Sequence, residues 1–269
     1  AHHNADAYNL PLDISSILDI LIGKNVPSKI VCSNLRRAIS TCVLSLWNRL
    51  RSTTEKIYLL SCLQEIGINV DTHTDTRQFQ VPQVSNFEMM YEHLDAKTLN
   101  EFYSTRIETI YNFGSKVSNS FFMESQQSSQ RRLQLFAQWI FMPDHDAQRI
   151  LENDQQGDAD AVEQHVEDEK EASVGSHGAH HQHNGFKTRR KSKERQTGTP
   201  PAIIAVGHSA WIKAFFKTYL PAKSDFVGKN VKLSNCGVVA FRFYYNRKKQ
   251  KYGIAPNSIT VVYKGFNAG

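Results

Sequence analysis

Lys29-Ile30-Val31-Cys32-Ser33-Asn34-Leu35-Arg36-Arg37-Ala38 decides the fold. Its first four residues read as a short strand. Leu35, Ala38, Ile39, Cys42, Val43, Leu46 and Leu50 then recur at helical spacing, so an amphipathic helix follows directly. Either Ser33 or Asn34 is placed to be its N-cap. In an open α/β sheet, ligands bind at the carboxyl ends of the strands. A helix that starts there presents backbone N–H groups and the positive end of its dipole, which suit a phosphate. Arg37 falls in the first turn and can reach toward the sheet, where its planar fork can hold a phosphoryl group bidentately.

The same grammar returns near the other end of the chain. Ala202–Val206 is a compact apolar strand, and Ala210–Leu220 reads as a helix stopped by Pro221. Between them lie Gly207, His208 and Ser209. Glycine permits a sharp turn and a close backbone approach, and a histidine at such a junction suits anion binding and proton chemistry. A third candidate is Glu65, within Leu63-Gln64-Glu65-Ile66 and just after the apolar run Ile57–Leu63. A carboxyl flanked by Leu and Ile is expected to lose part of its hydration and to serve as a proton donor.

Elsewhere, Ile14, Ile17, Leu18 and Leu21 form a helical stripe that Gly23 can end. Residues 97–113 and 130–142 read as further helices rich in aromatic residues. Trp47, Trp139 and Trp211 fall on helices and are expected to pack. Val238–Tyr245 and Ile259–Tyr263 read as strands, with NRKKQKYGIAPN between them. Strand–helix alternation early and late predicts an α/β domain with a mostly parallel sheet and the final pair as a candidate antiparallel edge. Residues 152–200 stand apart, with sparse apolar residues and 7 basic against 10 acidic groups. Such a segment cannot offset its ordering entropy. The expected organisation is therefore one domain, 1–151 with 201–269, interrupted by a disordered low-complexity insertion at 152–200.

The chain has 269 residues, 40% hydrophobic, with a net charge of +6. That composition excludes wholesale disorder. The part outside the insertion carries 25 basic against 16 acidic groups, a net charge near +9. This favours anionic partners, meaning phosphorylated small molecules, nucleic acid or a membrane surface, and of these a phosphorylated small-molecule or phosphoprotein substrate is expected. No apolar run approaches the roughly 20 residues of a membrane span, so no membrane partner is expected. The four cysteines form no CxxC pair or dense framework, which predicts reduced thiols in an intracellular, cytoplasmic protein. The tract His177, His180, His181 and His183 reads as low complexity rather than a metal site, and Lys187–Arg195 as a solvated charge run rather than a nucleic-acid arm. No metal and no cofactor is expected, and oligomeric state is open.

Taken together, Ser33-Asn34-Leu35-Arg36-Arg37-Ala38, Leu63-Gln64-Glu65-Ile66 and Ala205-Val206-Gly207-His208-Ser209 resemble, in that order, the motifs of the histidine phosphatase superfamily, the phosphoglycerate mutase-like proteins. The likeness covers most of residues 10–70 and 202–266. It implies a three-layer α/β/α sandwich and phosphomonoester hydrolysis through a phosphohistidine. Arg37 would be a phosphate-pocket arginine and His208 the second catalytic histidine. Ser209 would join them in binding phosphate, and Glu65 would be the general acid. Phosphatase is expected over mutase, because nothing marks a site that retains the phosphoryl group for return transfer. The family's nucleophile belongs to an Arg-His-Gly motif that closes a first, central strand, and neither is found here. His2 and His3 have no room for a strand before them. Two explanations stand: an incomplete copy of an active enzyme, or a pseudo-enzyme that binds phosphate without turnover. Either way the chain as it stands is expected to show little or no phosphatase activity. The alternative class is a binding module, either a catalytically dead phospho-ligand binder or a basic nucleic-acid-binding protein.

Overall fold

The structure, a computed structural model, describes residues 12–24, 28–67, 84, 95–111, 125–141 and 202–267. The chain divides into two units, Ala1–Gln148 with Pro201–Gly269, and Arg149–Pro200. Every described residue lies in the first. The expected insertion, its histidine tract and its basic run therefore lie outside the described residues, as do His2 and His3.

The fold is α/β, built on four parallel strands flanked by helices. In chain order the elements are α1 (Ile14–Leu21), β1 (Ser28–Cys32), α2 (Arg36–Ser52), β2 (Ile57–Leu60), a 3-10 turn at Ser61–Leu63, α3 (Ala96–Arg106) and β3 (Ile107–Tyr111). Then follow α4 (Gln126–Ile140), β4 (Ala202–Val206), α5 (Ser209–Tyr219), β5 (Val238–Ala240), β6 (Phe243–Asn246), β7 (Lys251–Ile254) and β8 (Thr260–Tyr263). The sheet order is β3-β2-β1-β4. In the register Ile30 pairs with Ile57 on one side and Ile204 on the other. After β1 the chain steps outward through β2 and β3, then returns to the opposite side of β1 for β4. The order reverses between β1 and β4, and in such sheets a crevice opens at the carboxyl ends of those two strands.

Alternation along the strands sends Ile30, Cys32, Ile57 and Leu59 to one face of the sheet. There they pack with Ala38, Ile39, Val43, Leu46 and Leu50 of α2 and with Leu99, Phe102 and Tyr103 of α3. A second, aromatic cluster joins α4, α5 and the C-terminal strands. Phe136 lies edge-on to Trp211 (5.2 Å) and Phe215 (5.9 Å), and Phe215 meets Phe243 (5.1 Å). The Tyr219 hydroxyl donates to the Leu133 carbonyl (3.0 Å), tying α5 to α4. Trp47 packs against Phe102, so all three tryptophans are packed as their helical positions suggest.

Several expectations are corrected. The helix expected over 97–113 ends at Arg106, because Ile107, Thr109 and Ile110 are β-branched, and Ile107 and Thr109 pair with Ile57 and Leu59 of β2. The expected strand Val238–Tyr245 breaks after Ala240 and resumes at Phe243. The segment NRKKQKYGIAPN holds β7, which pairs with β6 as a hairpin. The final antiparallel pair exists, as β5 with β8, but forms a separate two-stranded ribbon rather than an edge of the main sheet. Among the described residues no strand pairs with the outer edge of β4. Although apolar throughout, β4 has no fully buried residue, and Ala205 is exposed. The stripe on α1 is likewise open: only Ile17 is buried, while Ile14, Leu18 and Ile22 are about half exposed. Gly23, with φ +80°, turns the chain after α1 as expected.

Candidate functional site

The five helices among the described residues do not begin alike. Asp13, Asp95 and Ser125 cap α1, α3 and α4, accepting from the backbone N–H of Ser16 (2.9 Å), Thr98 (2.8 Å) and Ser128 (3.0 Å). The two helices that start at the crevice, α2 and α5, have Leu35 and His208 at the cap position, and neither makes a side-chain cap. The expectation that Ser33 or Asn34 would be the N-cap of α2 is thus corrected. Ser33 Oγ accepts from Leu35 N (3.3 Å), one residue ahead of the helix, and turns instead toward β4.

There it meets His208. Nε2 of His208 and Oγ of Ser33 share a hydrogen bond of 2.9 Å, its direction set by the imidazole tautomer. Both residues are buried, Ser33 completely. Burial pushes the His208 pKa down to about 3, and the positive charges of Arg37 and Arg132 add to the shift. The ring is therefore neutral at pH 7, and two guanidinium groups act on it from α2 and α4. Arg37 itself is exposed, in the first turn of α2. Ser209 opens α5.

Glu65 reaches the same place from β2. Its Oε1 accepts from the backbone N–H of Trp211 (3.2 Å), at the third position of α5, and from that of Ile66 (3.1 Å). A carboxyl from 146 residues away in sequence thus takes the part of the missing N-cap on α5. The loop that carries it is held from behind. Trp211 Nε1 donates to the Cys62 carbonyl (2.7 Å), and Arg132 donates to the Gln64 carbonyl (2.9 Å).

The structure therefore brings Arg37, Glu65, His208 and Ser209 to one end of the sheet. Reading the sequence missed two further members. Ser33 reads in the sequence as a cap and as part of the motif with Arg37, and nothing there ties it to His208. Arg132 lies one position from Leu133 and four from Phe136, on the buried stripe of α4, and that position was the available signal. The role expected of Gly207 is corrected. Its φ is not positive, and a β-carbon there would lie 3.8 Å from the Leu63 carbonyl oxygen, an ordinary contact.

Cysteine chemistry is disfavoured here, although Cys32 adjoins Ser33. Burial pushes the Cys32 thiol well up and the Cys62 thiol to about 12, so neither offers a thiolate near neutral pH. None of the four cysteines is disulfide-bonded. Among the described residues no group of three or more His, Cys, Asp or Glu side chains is placed to hold a metal ion, and no helix is long and apolar enough to cross a membrane. No family model, curated protein or solved structure matches the chain.

Proposed function

We propose that this crevice is the phosphate site of a phosphomonoester phosphatase of the histidine phosphatase, phosphoglycerate mutase-like kind, with a three-layer α/β/α sandwich. One observation carries the reading: two helices whose own N-cap residues, Leu35 and His208, make no side-chain cap start side by side at the point where the sheet order reverses, with His208 between them under the field of Arg37 and Arg132. Each element stabilises negative charge. Arg37 and Ser209 would hold the phosphoryl oxygens. His208, neutral when the site is empty, would donate from an imidazole nitrogen and gain a proton as the dianion enters. Glu65 would protonate the leaving alkoxide. Its Oε1 is pinned by backbone N–H groups, which leaves Oε2 to carry the proton.

His208 is the one histidine among the described residues. Among the described residues nothing pairs with the outer edge of β4, and a strand added there parallel to β4 would end beside His208. That is where a nucleophilic histidine would need to stand for in-line attack. Because Nε2 of His208 is already engaged by Ser33, a second reading remains: a domain that binds phosphate without turning over esters.

Calorimetric titration with inorganic phosphate, paired with p-nitrophenyl phosphate turnover, tests both readings. Phosphate should bind, and Arg37→Ala and His208→Ala should each weaken it at least about tenfold, the loss of one charge-assisted contact. Equal binding by all three proteins, or none by any, would refute the site. Turnover of the ester with a phosphohistidine on the chain as it stands would refute the expectation that its nucleophile is missing. Upstream coding sequence that reads as an apolar strand ending in Arg-His-Gly or Arg-His-Ala favours the enzyme. A Met start with no such motif favours the binding module.

A further inference from the structure

The loop Cys62–Glu65 is gripped from two sides. From α5, Trp211 donates its indole N–H to the Cys62 carbonyl (2.7 Å) and its backbone N–H to Glu65 Oε1 (3.2 Å). From α4, the guanidinium of Arg132 donates to the Gln64 carbonyl (2.9 Å), with longer contacts to the carbonyls of Cys62 and Glu65 (3.4 Å each). Arg132 is 1% exposed, although arginine is rarely buried this completely. Its helix cannot drift away, because Phe136, one turn on, wedges against Trp211, and Leu133 receives the Tyr219 hydroxyl. The carbonyls it holds belong to the residues that carry the carboxyl into the crevice. Arginine suits this task because one planar fork can reach several acceptors at fixed angles, whereas an ammonium presents a point charge.

We propose that Arg132 is the positioning residue for Glu65: it fixes the Cys62–Glu65 loop so that the carboxyl meets the start of α5. The proposal rests on the phosphate-site reading for its purpose but not for its geometry. It assigns α4 a part in the site beyond core packing. It also predicts that Arg132 and Glu65 act as one unit, so that their substitutions do not add.

Hydrogen exchange of the Trp211 backbone amide, followed by NMR, reads the arrangement without any ligand. Glu65→Ala removes the acceptor and should speed that exchange about tenfold. Arg132→Met should do nearly the same, while the core amide of Val31 on β1 keeps its wild-type rate. Arg132→Lys keeps the charge, loses the fork and should fall between; it serves as the variant of record if Arg132→Met does not fold. Unchanged Trp211 exchange, or acceleration only in step with Val31, would overturn the proposal. A phosphate titration then completes a double-mutant cycle. Arg132→Lys should change phosphate affinity at least threefold with Glu65 present and less than 1.5-fold in a Glu65→Ala background. An equal change in both backgrounds would overturn the coupling. The two failures are distinct. If His208→Ala weakens phosphate but Trp211 ignores Arg132, the positioning role falls and the phosphate site stands. If Trp211 responds while no phosphate binds, the phosphate site falls and the loop clamp stands.

Discussion

The two ends of the parallel sheet both collect arginines, and they use them oppositely. At the amino end, Arg49 is buried and meets the Glu55 carboxylate, Ser28 Oγ (2.5 Å) and the Ile20 carbonyl. Arg106 donates to the backbone carbonyls of Glu55 (2.7 Å) and Leu50 (3.1 Å). The hydrogen bond from Arg49, reinforced by its charge and that of Arg106, lowers the Glu55 pKa. Here positive charge is answered by negative charge, and the result is a fastening between α1, α2 and the starts of the strands. At the carboxyl end a histidine is held neutral instead, chiefly by burial, with the charges of Arg37 and Arg132 adding to the shift. Arginine is a staple where Glu55 meets Arg49 and, on the proposed phosphate reading, a receptor element beside His208.

Substitutions should separate these two uses. The largest effect on stability is expected from Arg49→Met, which leaves Glu55 without its partner and strands the Ile20 carbonyl. Breaking a buried pair costs about 3–5 kcal/mol. Glu55 is partly exposed, so about 2–3 kcal/mol is expected here, read by urea denaturation. A loss below about 1 kcal/mol would show that the amino-end fastening is not structural.

Next comes a pH effect. His208 has an ordinary value of 6.5 and a folded value of about 3. Between those values the unfolded chain binds more protons than the folded one, so stability falls as pH drops from 7 toward 3. The loss is on the order of 1 kcal/mol per pH unit below pH 6. His208→Gln should remove that share of the slope, and identical slopes in the two proteins would contradict it.

These effects also mark what could be read in advance. β1 with α2 and β4 with α5 were legible because an apolar run changes to a helical stripe within a few residues. β3 was not, since Ile107–Tyr111 continues an aromatic stretch and only its β-branching tells against helix. β7 was hidden by the lysines around it, although Tyr252 and Ile254 alternate. At the site, Arg37, Glu65 and His208 each sit beside a recognisable element end. The Ser33–His208 bond spans 175 residues and no local pattern encodes it. Arg132 looks like a surface arginine until the loop it holds is seen.

Smaller effects sharpen the contrast between helix starts. Asp95→Ala removes a cap from α3 and should lower stability in urea denaturation. Arg37→Ala, at an exposed position in the first turn of α2, should change stability less than Asp95→Ala does while still weakening phosphate. A large loss of stability in Arg37→Ala would mean that it is a fastening after all.

Backbone amide NMR during a titration with inorganic phosphate compares the helix starts directly. The account predicts that shifts concentrate on residues 33–38 and 208–211, at the starts of α2 and α5, while Ser16, Thr98 and Ser128 at the capped starts stay still. Shifts spread evenly over the surface lysines, or none at the two crevice helices, would contradict it.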